Sequence, residues 1–214
     1  MINEAVFKHP FTCLITGPSK SGKSTLLNGI LQLNQRLIDK NIDQIIYCYT
    51  RFQDSCKYAL ANVFPRVEFK QGLPDMEDFD SSKNNLLIMD DLMAEACNDN
   101  IIFDIFTIDS HHKNISVFFL TQNIFPRDKN ARSISLNTNY IIIMNNPRDK
   151  HQVSHLGRQM FPENSKYFLE AFKDAVENVH YGHLLVDLTQ TTDNKHRLQS
   201  NITKINRIFY VENN

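Results

Sequence analysis

Nowhere in these 214 residues does an apolar run approach the roughly 18 residues that a membrane span requires. The N-terminus also lacks the apolar core of a secretory leader. Cysteine is sparse: Cys13, Cys48, Cys56 and Cys97 include no C-x-x-C pair and fall within strand or helix patterns. They read as buried, reduced thiols of a soluble intracellular protein with no membrane anchoring. The net charge is only −1, and 42% hydrophobic with 22% charged residues is ordinary for a globular chain. No internal repeat and no low-complexity linker interrupts it. One domain is expected over residues 1–200, then a tail over 201–214 with a possible extra strand at 207–211.

Glycine is scarce too, with six in the whole chain, yet two of them fall in one eight-residue stretch. That stretch is Gly17-Pro18-Ser19-Lys20-Ser21-Gly22-Lys23-Ser24, followed by Thr25. It matches G-x-x-x-x-G-K-[ST], the phosphate-cradling loop of nucleoside triphosphatases. Gly17 and Gly22 let the backbone bend so that successive N–H groups face phosphate oxygens. Lys23 supplies a point charge to the β- and γ-phosphates, and the Ser24 hydroxyl suits Mg²⁺. Phe11–Thr16 before the loop has strand character. After it, Leu26, Leu27, Ile30, Leu31, Leu33, Leu37 and Ile38 recur at helical spacing. Strand, glycine loop and helix together make a nucleotide-binding site.

Apolar strand patterns alternate with helical ones along the rest of the chain. Strands are predicted at 44–49, 66–69, 85–90, 115–121, 140–144 and 183–187, and helices at 54–63, 101–109, 150–160 and 163–176. This alternation predicts an α/β fold with a mostly parallel sheet covered on both faces. Charge is polarised along the chain. Residues 71–110 hold ten acidic side chains against one lysine, and 111–158 hold seven Lys/Arg against two Asp. The basic part suits either a solvated face or a surface turned to DNA phosphate or a neighbouring subunit's nucleotide.

Leu86-Leu87-Ile88-Met89-Asp90-Asp91 is an apolar strand ending in two carboxylates. Beside a phosphate loop, such a strand delivers Asp90 to the metal and places Asp91 to orient or deprotonate the attacking water. Ile115–Thr121 ends likewise in Gln122 and Asn123. If that strand lies between the other two, the Gln122 amide projects toward the γ-phosphate. Histidine pairs His151/His155 and His180/His183 lack a third ligand and read as surface pairs.

Taken in order, these blocks resemble a known family. The set is Gly17–Ser24, Leu86–Asp91, His111-His112-Lys113-Asn114-Ile115-Ser116 leading to Leu120-Thr121-Gln122-Asn123-Ile124-Phe125, and Asn146-Pro147-Arg148-Asp149-Lys150. It is similar to the genome-packaging ATPases of the FtsK–HerA superfamily found in poxvirus- and adenovirus-related lineages, virophages and Polinton/Maverick elements. The resemblance runs from about Phe11 to Ile202. It implies a RecA-like (ASCE) P-loop NTPase that binds ATP and Mg²⁺ and assembles as a homo-oligomeric ring of five or six subunits. Such a ring moves double-stranded DNA into a capsid through a portal or vertex protein, inside an infected host cell. It also implies that Gln122 senses the nucleotide and that an arginine from the adjacent subunit reaches the γ-phosphate. Relatives often carry a basic residue, frequently arginine, where this chain has Lys113, and lysine cannot make the same bidentate contact. Arg132 and Arg148 are the other candidates, with Arg132 ranked first. A small-molecule or nucleotide kinase and a nucleotide-dependent DNA-associated scaffold are the rival readings. A GTPase is disfavoured because no Asn-Lys-x-Asp sequence occurs.

Overall fold

A computed structural model describes residues 5–51, 67–92, 101–125, 131–177 and 179–212. The expected helix at 54–63, Cys56, Cys97, Arg127 and Lys129 lie outside the described residues. In chain order the elements begin with β1 (Thr12–Thr16), α1 (Lys23–Gln32), β2 (Gln44–Tyr49), β3 (Val67–Gln71) and β4 (Asn85–Asp90). Next come α2 (Ile101–Asp104), β5 (Ile115–Thr121), α3 (Ala131–Leu136) and β6 (Tyr140–Met144). The chain finishes with α4 (His151–Met160), α5 (Ser165–Val176), β7 (His183–Asp187), β8 (Leu198–Ser200) and β9 (Ile208–Tyr210).

The described strands form one sheet in the order β3-β2-β4-β5-β1-β6-β7-β8-β9. Pairing is parallel from β3 to β6 and antiparallel from β6 onward. The α/β class and mostly parallel sheet therefore match the sequence expectation. Side chains alternate strictly between faces, as a pleated strand requires. Leu86, Ile88, Phe118 and Leu120 enter one core with α1, while Leu87, Met89, Val117 and Phe119 enter another with Ile102, Ile105 and Phe106. A third core forms where Ile141, Ile143 and Leu184 meet Val153, Leu156 and Phe168 of α4 and α5.

Phe7, Phe11, Phe118 and Tyr140 pack ring against ring, with Phe7–Phe11 centroids 5.0 Å apart and Phe7–Tyr140 centroids 5.1 Å apart. All four are essentially buried, each stabilising by about 1.5–3 kcal/mol. This knot pins β1, β5 and β6 to each other, which fixes where their C-terminal ends emerge.

Several boundaries differ from expectation for visible reasons. The apolar stripe from Leu26 to Ile38 is not one helix. The chain leaves α1 at Leu33, where the Asn34 side-chain amide donates to Leu31 O at 2.8 Å, and a separate turn spans Asn34–Leu37. The segment expected as a helix at 101–109 widens into a π-helix over Ile105–Asp109, with the Thr107 hydroxyl donating to Phe103 O at 2.8 Å. α5 starts at Ser165 because Asn164 caps it, accepting from Tyr167 N at 3.3 Å. The polar stretch after Leu188 contains β8, which was not expected, and β9 pairs with it over Leu198–Ser200. Residues beyond 200 thus continue the same sheet, and Ile202 lies in the core beside α1.

Candidate nucleotide-binding site

β1 is buried along its whole length and ends at Thr16, so the loop that follows starts from a rigid base. Gly17 N donates to Thr121 O at 3.2 Å, tying the loop to the end of β5. A Cβ at Gly17 would lie 2.7 Å from the Met144 Cβ, so only glycine lets the loop pass β6. Gly22 takes φ 98 and ψ 12, a left-handed conformation at the N-cap of α1. No side chain caps this helix start and its first turn carries no acidic residue. The free N–H groups and the positive end of a ten-residue helix are thereby left open to an anion.

Lys23 is half-buried. Its ammonium donates to Gly17 O at 2.7 Å and Pro18 O at 3.1 Å, so the loop's own carbonyls hold it in place. Burial lowers its pKa, opposed by the charges of Asp90 and Asp91. Ser21 Oγ is buried and has no hydrogen-bond partner within the described residues. A buried hydroxyl without a partner in a loop of inward-facing donors fits an anion seat.

Asp90 is the last residue of β4, and burial raises its carboxyl pKa from the ordinary aspartate value. The Tyr47 hydroxyl donates to its Oδ2 at 2.7 Å and opposes that rise, while the neighbouring Asp91 adds to it. Asp91 is exposed and adopts φ 57, a left-handed backbone that aspartate tolerates better than most residues. The turn is held by Thr50, whose hydroxyl donates to Asp91 O at 2.8 Å. Gln122, just past β5, reaches Asp91 Oδ1 with its amide at a long 3.4 Å.

A cavity of about 630 Å³ is bordered by Ser19, Lys20, Lys23, Ser24, Asp90, Asp91 and Gln122, among others. Strand order explains the convergence: β5 lies between β1 and β4, all three parallel, so their C-terminal ends share one edge. Loop, carboxylates and amide therefore border one cavity, with Gly17, Pro18, Ser21 and Thr25 in the same loop and helix start. Among the described residues no three His, Cys, Asp or Glu cluster as a metal cage. A hydroxyl at Ser24 beside one carboxylate at Asp90 fits Mg²⁺, which keeps waters and shares its shell with phosphate.

The finger candidates separate. Lys113 precedes β5 at the opposite edge of the sheet, and its ammonium donates to Met76 O at 2.7 Å. Arg148 is exposed in the turn after β6, on the edge that carries the cavity, without bordering it. Arg132 lies in α3, and its side chain is outside the described residues. Three contributors were not foreseen: Tyr47, Thr50 and Tyr181. Tyr47 alternates correctly on β2, but nothing in the sequence says that β2 lies beside β4. His155 packs on Phe125 with ring centroids 5.2 Å apart, and His183, expected at the surface, is instead buried at the start of β7. Among the described residues no helix is long and apolar enough to cross a membrane.

A phosphate loop on β1, an acid-tipped β4 and a polar-tipped β5 inserted between them define the fold of a P-loop ATPase. Comparison with solved structures finds the same fold among ATPases. EssC of Geobacillus thermodenitrificans (ATPases 2 and 3) aligns with a TM-score of 0.55 at 13% identity, over 84% of this chain and 38% of that one. The cytoplasmic domain of the Thermomonospora curvata type VII secretion ATPase EccC aligns at 0.53 and 9% identity, over 87% of this chain and 26% of that one. The genome-packaging NTPase B204 of Sulfolobus turreted icosahedral virus 2, solved with ATP-gammaS, aligns more loosely at 0.48 and 13% identity, covering 86% and 94%. This chain thus spans well under half the length of EssC or EccC, and the likeness is one of fold. No protein-family model matches the chain, and no curated protein matches it in sequence.

Proposed function

We propose that this chain hydrolyses ATP with Mg²⁺ and, as one subunit of a homo-oligomeric ring, drives double-stranded DNA into a capsid. The observation that carries the ATPase part is the insertion of β5 between β1 and β4, which sets Lys23, Asp90, Asp91 and Gln122 around one cavity. Ser24 and Asp90 would hold the Mg²⁺, which neutralises charge on the phosphoryl oxygens when bound. Lys23 exchanges the Gly17 and Pro18 carbonyls for phosphate oxygens. Asp91, exposed in the cavity, orients the attacking water and takes up its proton. Gln122 already contacts Asp91, so the sensing amide and the water-handling acid are linked.

The DNA part is supported by the resemblance of the His111–Phe125 and Asn146–Lys150 blocks, and by the exposed cations Arg148 and Lys150 in the turn after β6. Arg148 is the trans finger that described geometry supports best, since it is exposed and on the correct edge. Such fingers are worth about 10³–10⁵ in rate, so an isolated subunit should turn over slowly.

ATP turnover with and without long duplex DNA, measured while tracking oligomeric mass, tests the proposal. Stimulation by DNA in a ring-sized species is the expected result. A monomer working at full rate without DNA would overturn the motor reading. Phosphoryl transfer to nucleosides would favour a kinase, and binding without turnover a scaffold.

A further inference from the structure

The cavity wall also carries an aromatic side chain, contributed from the other side of β1 from the acids. Tyr181 sits in the turn before β7, 40% exposed, and borders the same cavity as Ser24 and Thr25. Its backbone has φ 56, a left-handed conformation that a bulky side chain keeps only when its surroundings impose it. The surroundings do so here. Gly182 N donates to Val179 O at 2.9 Å, and the Tyr181 carbonyl is 3.2 Å from the ring Nδ1 of buried His183. The His180 ring lies against the Tyr181 ring with centroids 3.9 Å apart. The side chain packs so tightly over Gly22 that any Cβ there would collide with it. Core packing does not explain a strained, exposed tyrosine laid on a phosphate loop.

Direction follows from the sheet. Asp90, Asp91 and Gln122 come from β4 and β5, on one side of β1, whereas Tyr181 arrives from β7, beyond β6 on the other side. A triphosphate whose reacting end faces the acids has its nucleoside directed toward Tyr181. We infer that Tyr181, backed by His180, is the aromatic platform on which the nucleobase stacks. This rests on the ATP-site reading above and adds what recognises the nucleoside.

Calorimetric titration of the full chain with ATP and, separately, with inorganic tripolyphosphate, both with Mg²⁺, provides the test. Tyr181→Ala should weaken ATP binding about tenfold, toward the lower end of what base–aromatic stacking delivers, and leave tripolyphosphate unchanged. Tyr181→Phe should bind ATP like the wild type. Tyr181→Leu, which keeps bulk over Gly22 without a π-face, should show the same selective loss as alanine and serves if alanine misfolds. Unchanged ATP affinity, or equal weakening of both ligands, would overturn the platform. Lys23→Ala should remove both ligands, and if it does not, the nucleotide-site reading fails instead.

Discussion

The sheet has two parts whose connecting loops use their polar residues in opposite ways. From β3 to β6 every strand runs parallel, so each sends its C-terminal end to one edge. There Asp91 and Gln122 stay exposed and face a cavity, and the helix start carries no side-chain cap. From β7 to β9 the strands alternate in direction, and their turns consume their own polar groups. Asp187 accepts from the Thr189 hydroxyl at 2.7 Å and the Thr192 hydroxyl at 2.8 Å, while Arg197 donates to Asp187 O and Thr189 O. Satisfied groups hold a fold together, and unsatisfied groups gathered by a parallel sheet are available to a ligand. The antiparallel part acts as a brace that sends one side chain, Tyr181, into the neighbouring site.

That division can be broken experimentally. The largest effect is expected at the parallel edge: Asp91→Asn should cut turnover by roughly 10²–10⁴ while nucleotide affinity holds. Asparagine keeps the left-handed backbone at this position, so unchanged turnover would remove Asp91 from proton handling. In the brace, Phe168→Ala empties a fully buried site between α5 and its neighbours and should cost about 3–5 kcal/mol in denaturant unfolding. Nucleotide affinity of the folded fraction should not change, and a parallel loss would show that the two parts are not separable.

The smallest effect concerns Asp90. Its raised carboxyl means that the folded protein holds this proton more tightly than the unfolded chain does. The stabilising contribution is therefore present below the unfolded value and is lost as pH rises through the folded one. Asp90→Asn, always neutral, should melt above the wild type near pH 7 without nucleotide, and the gap should close below about pH 4. Equal melting at pH 7 would show that burial does not dominate at this carboxyl.

The sequence is most legible where one short segment carries its own chemistry. Gly17–Thr25 is legible because backbone bend, cation and hydroxyl all lie within nine consecutive residues. Asp90 and Gln122 were legible as strand tips from the two apolar runs before them. The division of the stripe at Leu33 was not, since 3.6-residue spacing continues across the break. β8 was missed because Leu198–Ser200 is only three residues long and too short to show a period. Tyr47 and Tyr181 had no local mark at all.

From its order of residues alone, this chain determined a phosphate loop, two acid- or amide-tipped strands and alternating α/β elements, because each depends on neighbours in sequence. Only tertiary structure decided that β5 enters between β1 and β4, that Tyr47 steadies Asp90 from β2, and that Tyr181 borders the cavity from the turn before β7. Those outcomes depend on strand order, which is set by how whole faces bury against each other. No local pattern encodes that sum.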